Sequence, residues 1–284
     1  MFKILLYYPQ YFKRLFFWKP GCGPIESNFT NANMIGTAGL SSKLPLPSTP
    51  VGSFLVRVVV SSLVLLVALR YAAGLAAWNA ANRLERPLYS VIRRLPGGVE
   101  VRRYEPYLIA ETEVAVTDKE GGGGFRGAGG DGFRVCAGYI FGKNKGKDME
   151  AEKMAMTSPV RASGCGVGGL PAPKSKVAVS FVVSSKYSLS TAPKPLDRGV
   201  RVKKVPSHVL AAKKFSGPPP KDERVEKERA KIVKALEAAN LRVGGKRARD
   251  GGETLVYGYH DPVITPNLLR KNEVAVMVDE SSLN

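Results

Sequence analysis

The stretch from Asp131 to Val160, DGFRVCAGYIFGKNKGKDMEAEKMAMTSPV, changes hydrophobic period partway along, and that change constrains the fold more than any other feature of the chain. Phe133, Cys136, Ala137, Ile140 and Phe141 recur at i, i+3, i+4, i+7 and i+8, which draws one apolar stripe along a helix. Asp131 stands where an N-cap is wanted, and Gly142 is an effective stop. After the basic loop from Lys143 to Glu152, Met154 and Met156 alternate on one face of an extended segment that runs to Val160. A helix stripe followed at once by a strand face needs one core beneath both.

The same order of elements is read twice. Val99 to Tyr104 and Tyr107 to Val116 alternate as strands around a Glu105-Pro106 turn; the helix, the MAMTSPV segment and Lys176 to Ser184 follow. Val200 to Val205 and His208 to Phe215 then read as strands. Lys221 to Asn240 reads as a charged helix with Val225, Ile232, Leu236 and Ala239 on one face, and Glu253 to Tyr259 and Glu273 to Val278 as strands. Two ββαββ units predict an α+β domain of eight strands and two helices. The glycine tracts Gly121 to Gly124, Gly127 to Gly130 and Gly164 to Gly169 lack the Lys-Ser/Thr of a phosphate-binding loop and read as flexible insertions.

Charge and cysteine content narrow the class. The 284 residues carry 43 Lys or Arg against 24 Asp or Glu, and such a balance favours anionic partners without choosing among nucleic acid, lipid and a dicarboxylate such as a porphyrin. Arg242, Lys246, Arg247 and Arg249 cluster in one loop without interleaved aromatics, so nucleic-acid binding is not expected. Cys22, Cys136 and Cys165 do not make a disulfide framework.

Residues 1–50 read as a targeting leader. Asn28 to Pro50 holds Ser, Thr, Lys and Pro with no acid, the composition of an organelle transit peptide, and chloroplast import is the expected address. Residues 51–83 contain an apolar run, Val58 to Ala77. Its ten Leu or Val residues each favour insertion by about 0.3 to 0.6 kcal/mol, while Arg70 opposes it by about 2.5 to 3.5. A membrane anchor, a targeting segment and a soluble helix therefore all stay open.

Residues 84–284 form the remaining domain, and four stretches of it resemble the SOUL haem-binding family. They are Y-I-F-G-K-N with M-A-M-T-S-P-V, E-V-R-R-Y-E-P-Y-L-I-A-E-T from Glu100, K-F-S-G from Lys214, and Y-G-Y-H-D-P-V with R-K-N-E-V from Tyr257. The resemblance runs from about Glu85 to Asp279. It implies a distorted eight-stranded antiparallel β-barrel with two helices packed outside, and non-covalent binding of haem or another porphyrin for carriage, buffering or delivery.

No axial ligand carries over. Where one branch of the family has a His before the Tyr of its E-x-R-H-Y motif, this chain has Arg103, and a guanidinium cannot ligate iron. Two histidines remain. His208 opens a strand at an expected surface edge, and His260 lies in a turn and is kept as a candidate. The groove implied by the resemblance flanks the first helix and the loop before the last strand. Its candidate contacts here are Arg134, which replaces a cation the family presents at Gly138, with Ala137, Phe141, Lys143, Met154, Met156, His260 and Arg270. An Arg270–Glu273 ion pair is the alternative use of that arginine. Other classes are an effector-binding module for a different amphipathic molecule, and a hydrolase with Glu111 or Glu113 as base beside Tyr104 or Tyr257. No complete catalytic motif supports the latter.

Overall fold

In a computed structural model, residues 50–116, 124–164, 175–245 and 252–283 are described, and from Phe54 onward they fall in one unit. The leader, Cys165 and Lys246, Arg247 and Arg249 lie outside the described residues. The elements are α1 (Pro50–Asn82), β1 (Tyr89–Leu95), β2 (Val99–Tyr104), β3 (Tyr107–Ala115), α2 (Gly124–Ile140), β4 (Asn144–Lys145), β5 (Val160–Gly164), β6 (Lys176–Val183), β7 (Lys194–Pro195), β8 (Val200–Val205), β9 (His208–Ser216), α3 (Asp222–Ala238), β10 (Thr254–Gly258) and β11 (Lys271–Met277). Nine strands form one curled antiparallel sheet in the order β1-β2-β9-β11-β10-β5-β6-β3-β8, and β4 pairs with β7 apart from it.

That order is a palindrome of the two expected repeats. Each repeat's first strand pairs with the other repeat's second strand, and the third strands, β5 and β10, meet at the centre. Seven of the eight expected strands lie where the sequence puts them, and two points differ. β1 adds a ninth strand against β2, so the sheet ends in the free edges β1 and β8 instead of closing as a barrel. The Met154–Pro159 segment is not a strand: Met154 N–H donates to the Ile140 carbonyl of α2, Ser158 N–H to Glu85, and pairing begins only at Val160.

Helices α2 and α3 cover one face of the sheet. Val225, Ile232 and Leu236 of α3 are fully buried with Val101, Val209, Val274 and Val276, each such side chain contributing about 1.5 to 3 kcal/mol. Cys136, Ala137, Tyr139 and Ile140 of α2 pack with Ala110, Phe181 and Val183. Phe133 lies half-buried against the same cluster, but Phe141 is 45% exposed, because the helix ends at Ile140 and the chain turns outward at Gly142.

The glycines before Asp131 are helical, which overturns both the flexible insertion at Gly127 to Gly130 and the Asp131 cap. Helix α2 starts at Gly124, where φ is +63° and a Cβ would overlap the Asp222 carboxylate. That carboxylate accepts the Phe125 N–H at 3.0 Å, so the residue capping α2 comes from the first turn of α3. Gly132 allows α2 to lie directly on β6, since a Cβ there would fall 2.4 Å from the Val179 Cβ. Asp131 pairs with Arg134 one turn on.

These contacts separate the roles of two glycines in one helix. Gly132→Ala should destabilise by about 1 to 3 kcal/mol through overpacking against Val179. Gly129→Ala, with nothing within 4 Å of the new Cβ, should gain up to about 1 kcal/mol of helix propensity. Urea unfolding of the two variants checks both signs.

Candidate ligand site

Strand alternation sends a second set of side chains to the face without helices. Directly opposed residues share a face, and the register aligns Glu273 of β11, Tyr257 of β10, Arg161 of β5, Ser180 of β6 and Glu111 of β3 in one row. This concave row is polar and buried. Arg161 donates to the Ser180 hydroxyl at 3.0 Å and to Glu111 at 3.1 Å, and Lys203 also pairs with Glu111.

At the other end of the row Glu273, with no exposed surface, accepts four hydrogen bonds. Arg102 donates with both terminal nitrogens at 2.9 and 3.2 Å, Lys271 Nζ lies at 3.0 Å, and the Tyr259 hydroxyl donates at 2.7 Å. Burial alone would raise the Glu273 pKa; Arg102, Lys271 and Tyr259 overcome it and hold the group below the usual carboxylate range. Burial pulls the Lys271 pKa down, and Glu273 only partly restores it.

Tyrosines wall the space above this row. Arg102 stacks on Tyr89 at 4.7 Å, and Lys271 and Arg86 lie over Tyr259 at 3.9 and 5.3 Å. His208 stacks face to face on Tyr104, 5.3 Å and 4° apart, with Tyr107 beside it. It is therefore a buried member of this wall and not the surface edge residue expected. An inner cavity of about 40 Å³ is lined by Arg86, Tyr104, Tyr107, Arg161, Tyr257, Tyr259 and Lys271 among others. It adjoins an outer cleft of about 590 Å³ whose apolar walls include Leu88, Leu108, Val183 and Leu189, with Arg86 and Lys204 as cations. Arg86, Pro87, Tyr107 and Val182 belong to both.

None of the eight residues expected at the site lines either cavity. Arg134 is exposed and tied to Asp131; Ala137 and Met154 are buried in the core under α2, with Met156 packed at its margin. Phe141 and Lys143 are exposed together at the end of α2. Arg270 is buried with its Nε on the Thr265 carbonyl at 2.7 Å, so the Arg270–Glu273 alternative does not form. Arg103 sits on the opposite side of β2 from Tyr104, near Glu280 at the surface. Of the hydrolase residues, Glu111 is held by two cations and Glu113 pairs with Lys176 at the surface.

The histidine tautomers follow from their partners. His260 Nδ1 accepts the Lys271 backbone N–H at 3.0 Å, so the ring proton is on Nε2 and no lone pair is free for iron. Burial, then the nearby Arg86 and Lys271 charges, lower its pKa and keep it neutral. His208 Nδ1 donates to the Pro206 carbonyl, and burial likewise lowers its pKa. Cys136 is a structural thiol: burial pushes it up to about 12, and Sγ sits 3.5 and 3.6 Å from the Val179 and Ala110 carbonyls. Those carbonyls would accept from a serine hydroxyl at the same place.

A curled sheet of two interleaved ββαββ repeats with both helices on one face defines the class of domain. A family model described as SOUL heme-binding protein matches residues 84–277, and the chain belongs to that family. No curated protein matches the sequence. Solved structures similar in outline include a hydrolase from Listeria innocua, 11% identical over 67% of this chain and 94% of that one with a TM-score of 0.45. The C-terminal domain of EcmrR is 9% identical over 68% and 98%, TM-score 0.42. SAV2435 bound to tetraphenylphosphonium is 11% identical over 66% and 96%, TM-score 0.36. What those proteins bind or hydrolyse is a property of theirs.

The Glu273 network sets an acid limit on the fold. Because its folded pKa is depressed, Glu273 contributes stability that is complete above its unfolded value of about 4.3 and is lost as pH falls through the folded value. Glu273→Gln should cost about 3 to 5 kcal/mol at neutral pH, since Lys271 then lacks its counter-charge and Arg102 keeps only Glu100, and should flatten that acid limb. Thermal melts of both proteins between pH 3 and 7 check the expectation.

Proposed function

We propose that this protein binds haem or another tetrapyrrole non-covalently, for carriage, buffering or delivery, without a fixed axial ligand to the iron. The family match over residues 84–277 carries the reading. The outer cleft supports it physically: its volume falls in the range of small-molecule sites, its walls mix apolar side chains with Glu85, Glu105 and hydroxyl groups, and Arg86 and Lys204 suit carboxylates at a macrocycle edge. Covering apolar surface of a macrocycle, at about 25 cal/mol per Å², would supply affinity before ordering costs. The His260 tautomer supports the absence of a ligand, because ligation would sacrifice its bond to Lys271. A bound haem would supply its own iron chemistry; the residues proposed here hold and orient it. A second seat is the surface beside α2, favoured by the exposed Phe141 ring next to Lys143 and Arg134; Ala137, Met154, Met156, His260 and Arg270 would contact a ligand there only if the 143–156 and 259–270 segments opened.

Titration of the full chain with haem and with metal-free porphyrin should give affinities within about tenfold of each other, read from the Soret band and from porphyrin fluorescence. A thousandfold preference for the iron form would overturn the ligand-free reading. Lys204→Ala should weaken binding several-fold if the cleft is the seat, whereas Lys143→Ala should do so if α2 is.

We also propose that α1 holds the protein at a membrane and that the leader directs it to the chloroplast. Phe54–Asn82 is long and apolar enough to cross a membrane, with a mean hydropathy of 2.1 and its large apolar side chains exposed. Arg70 donates to the Val263 and Ile264 carbonyls at 2.5 Å, and a Cβ on Gly74 would touch Pro266, so that turn of the helix is seated on the domain. The 20 residues from Pro50 to Leu69 ahead of it make about 30 Å of helix, the thickness of a hydrocarbon core, with Arg57 inside that length. The charge-free stretch from Val58 to Leu69 alone, about 18 Å, is too short to span. The acid-free Ser/Thr segment supports the address. A fluorescent fusion of residues 1–90 should overlap chlorophyll, and the full chain should resist carbonate extraction. Reticular or plasma-membrane fluorescence would reject the address; extraction into carbonate would reject the anchor.

A further inference from the structure

The inner cavity is lined by two residues whose buried hydrogen-bond donors find no partner among the described residues. Tyr257 is 4% exposed and its hydroxyl is buried without a partner, although phenylalanine would fill the same strand position. An orphaned buried hydroxyl is destabilising, since its desolvation is not offset by a bond. Arg86 Nε is also buried and unpartnered, while its NH2 is held by Asn82 Oδ1 at 3.2 Å. Both side chains line the one cavity.

Neighbouring groups cannot supply the missing acceptor. Glu273 already takes four donors and Glu111 takes Arg161 and Lys203. Sign is set by the same neighbours. Arg86, Arg161 and Lys271 line the cavity, and the faces of Tyr89 and Tyr259 are already covered by Arg102, Lys271 and Arg86, so a cation would meet like charge where an aromatic cage would otherwise attract it. Size is set by the walls. About 40 Å³ admits a head group of a few atoms, and the adjoining 590 Å³ admits the body.

We infer that the inner cavity is a carboxylate site, which receives the head of a short acidic arm through the Tyr257 hydroxyl and Arg86 Nε while a flat apolar body lies in the outer cleft. In naming a propionate as that arm this rests on the tetrapyrrole reading; the site itself rests on its own unpartnered donors. The arm enters beside Tyr107 and Val182, the walls common to both spaces.

The test compares acid and ester on the full chain. Metal-free porphyrin diacid should bind at least tenfold tighter than its dimethyl ester, and Tyr257→Phe and Arg86→Gln should each weaken the diacid three- to tenfold while leaving the ester unchanged. Ligand-free Tyr257→Phe should melt no lower than the parent, which separates lost binding from lost folding. Equal affinity of diacid and ester, or variants that leave the gap intact, would overturn the carboxylate site and leave tetrapyrrole binding standing. Should neither porphyrin bind, 3-phenylpropionate against 3-phenylpropanol decides: acid-selective binding abolished by Tyr257→Phe upholds the site without the tetrapyrrole, and no acid-selective binding overturns it.

Discussion

The pairing of Arg102 with Glu273 is the interaction on which the concave face depends. The two residues come from β2 and β11, which are not neighbours in the sheet; β9 runs between them, and the salt bridge spans it. Removing two charges from water costs several kcal/mol each, recovered only when every lone pair and proton finds a partner. Glu273 meets that condition with four donors, and Arg102 meets it with Glu100 at 2.9 Å and the Tyr89 ring. The carboxylate therefore stays ionised at the bottom of the curl, and the lysine and tyrosine it holds are fixed as walls of the cavity. Apolar residues at these positions would fill the curl, and no recess would remain.

Backbone symmetry and side-chain asymmetry then divide the labour. The strand order is symmetric about the β5–β10 pair, and on the helix face the two halves do the same thing, each burying one amphipathic helix. On the concave face they differ. Tyr257 and Arg161 occupy directly opposed positions on the two central strands, and Glu273 and Ser180 occupy the next pair outward. One repeat thus contributes a carboxylate bound to Arg102, and the other a carboxylate on β3 bound to Arg161. Breaking the symmetry there yields a single directional recess from a duplicated scaffold, with its donors at one end and the open cleft at the other.

The repeats were legible because amphipathic alternation is a local signal; β2, β3, β6, β8, β9, β10, β11, α3 and the second half of α2 fall where their apolar periods put them. What was not local was missed. Glycine-rich helix at Gly124 to Gly132 is stabilised by docking of Gly132 on Val179 and by a cap on Phe125 from Asp222, 97 residues on, and neither contact is visible in propensity. β1 reads YSVIRRL with almost every side chain outside, so it shows no buried face to detect. The candidate site suffered most. The row Glu273, Tyr257, Arg161, Ser180, Glu111 exists only through the register of five strands, although Glu100, Arg102 and Tyr104 alternating within EVRRY already signalled a polar second face on β2. His208 at a strand start read as an edge, because nothing in the sequence places Tyr104 over it.

The candidate site pairs cations with aromatic rings, and on the tetrapyrrole reading it selects its occupant by shape and edge chemistry. Axial ligation ties affinity to the metal and its oxidation state; contact with a macrocycle face and a carboxylate arm does not. Such binding is set by desolvated apolar area and by a few charge-assisted hydrogen bonds, terms that fix residence time more than capture rate. The rigidity comes from the part of the site that never meets the ligand: Glu273, buried beneath the tyrosines and fully bonded, orients Arg102, Lys271 and Tyr259 before anything binds. With those side chains ordered in advance, the entropy left to lose falls on the ligand alone.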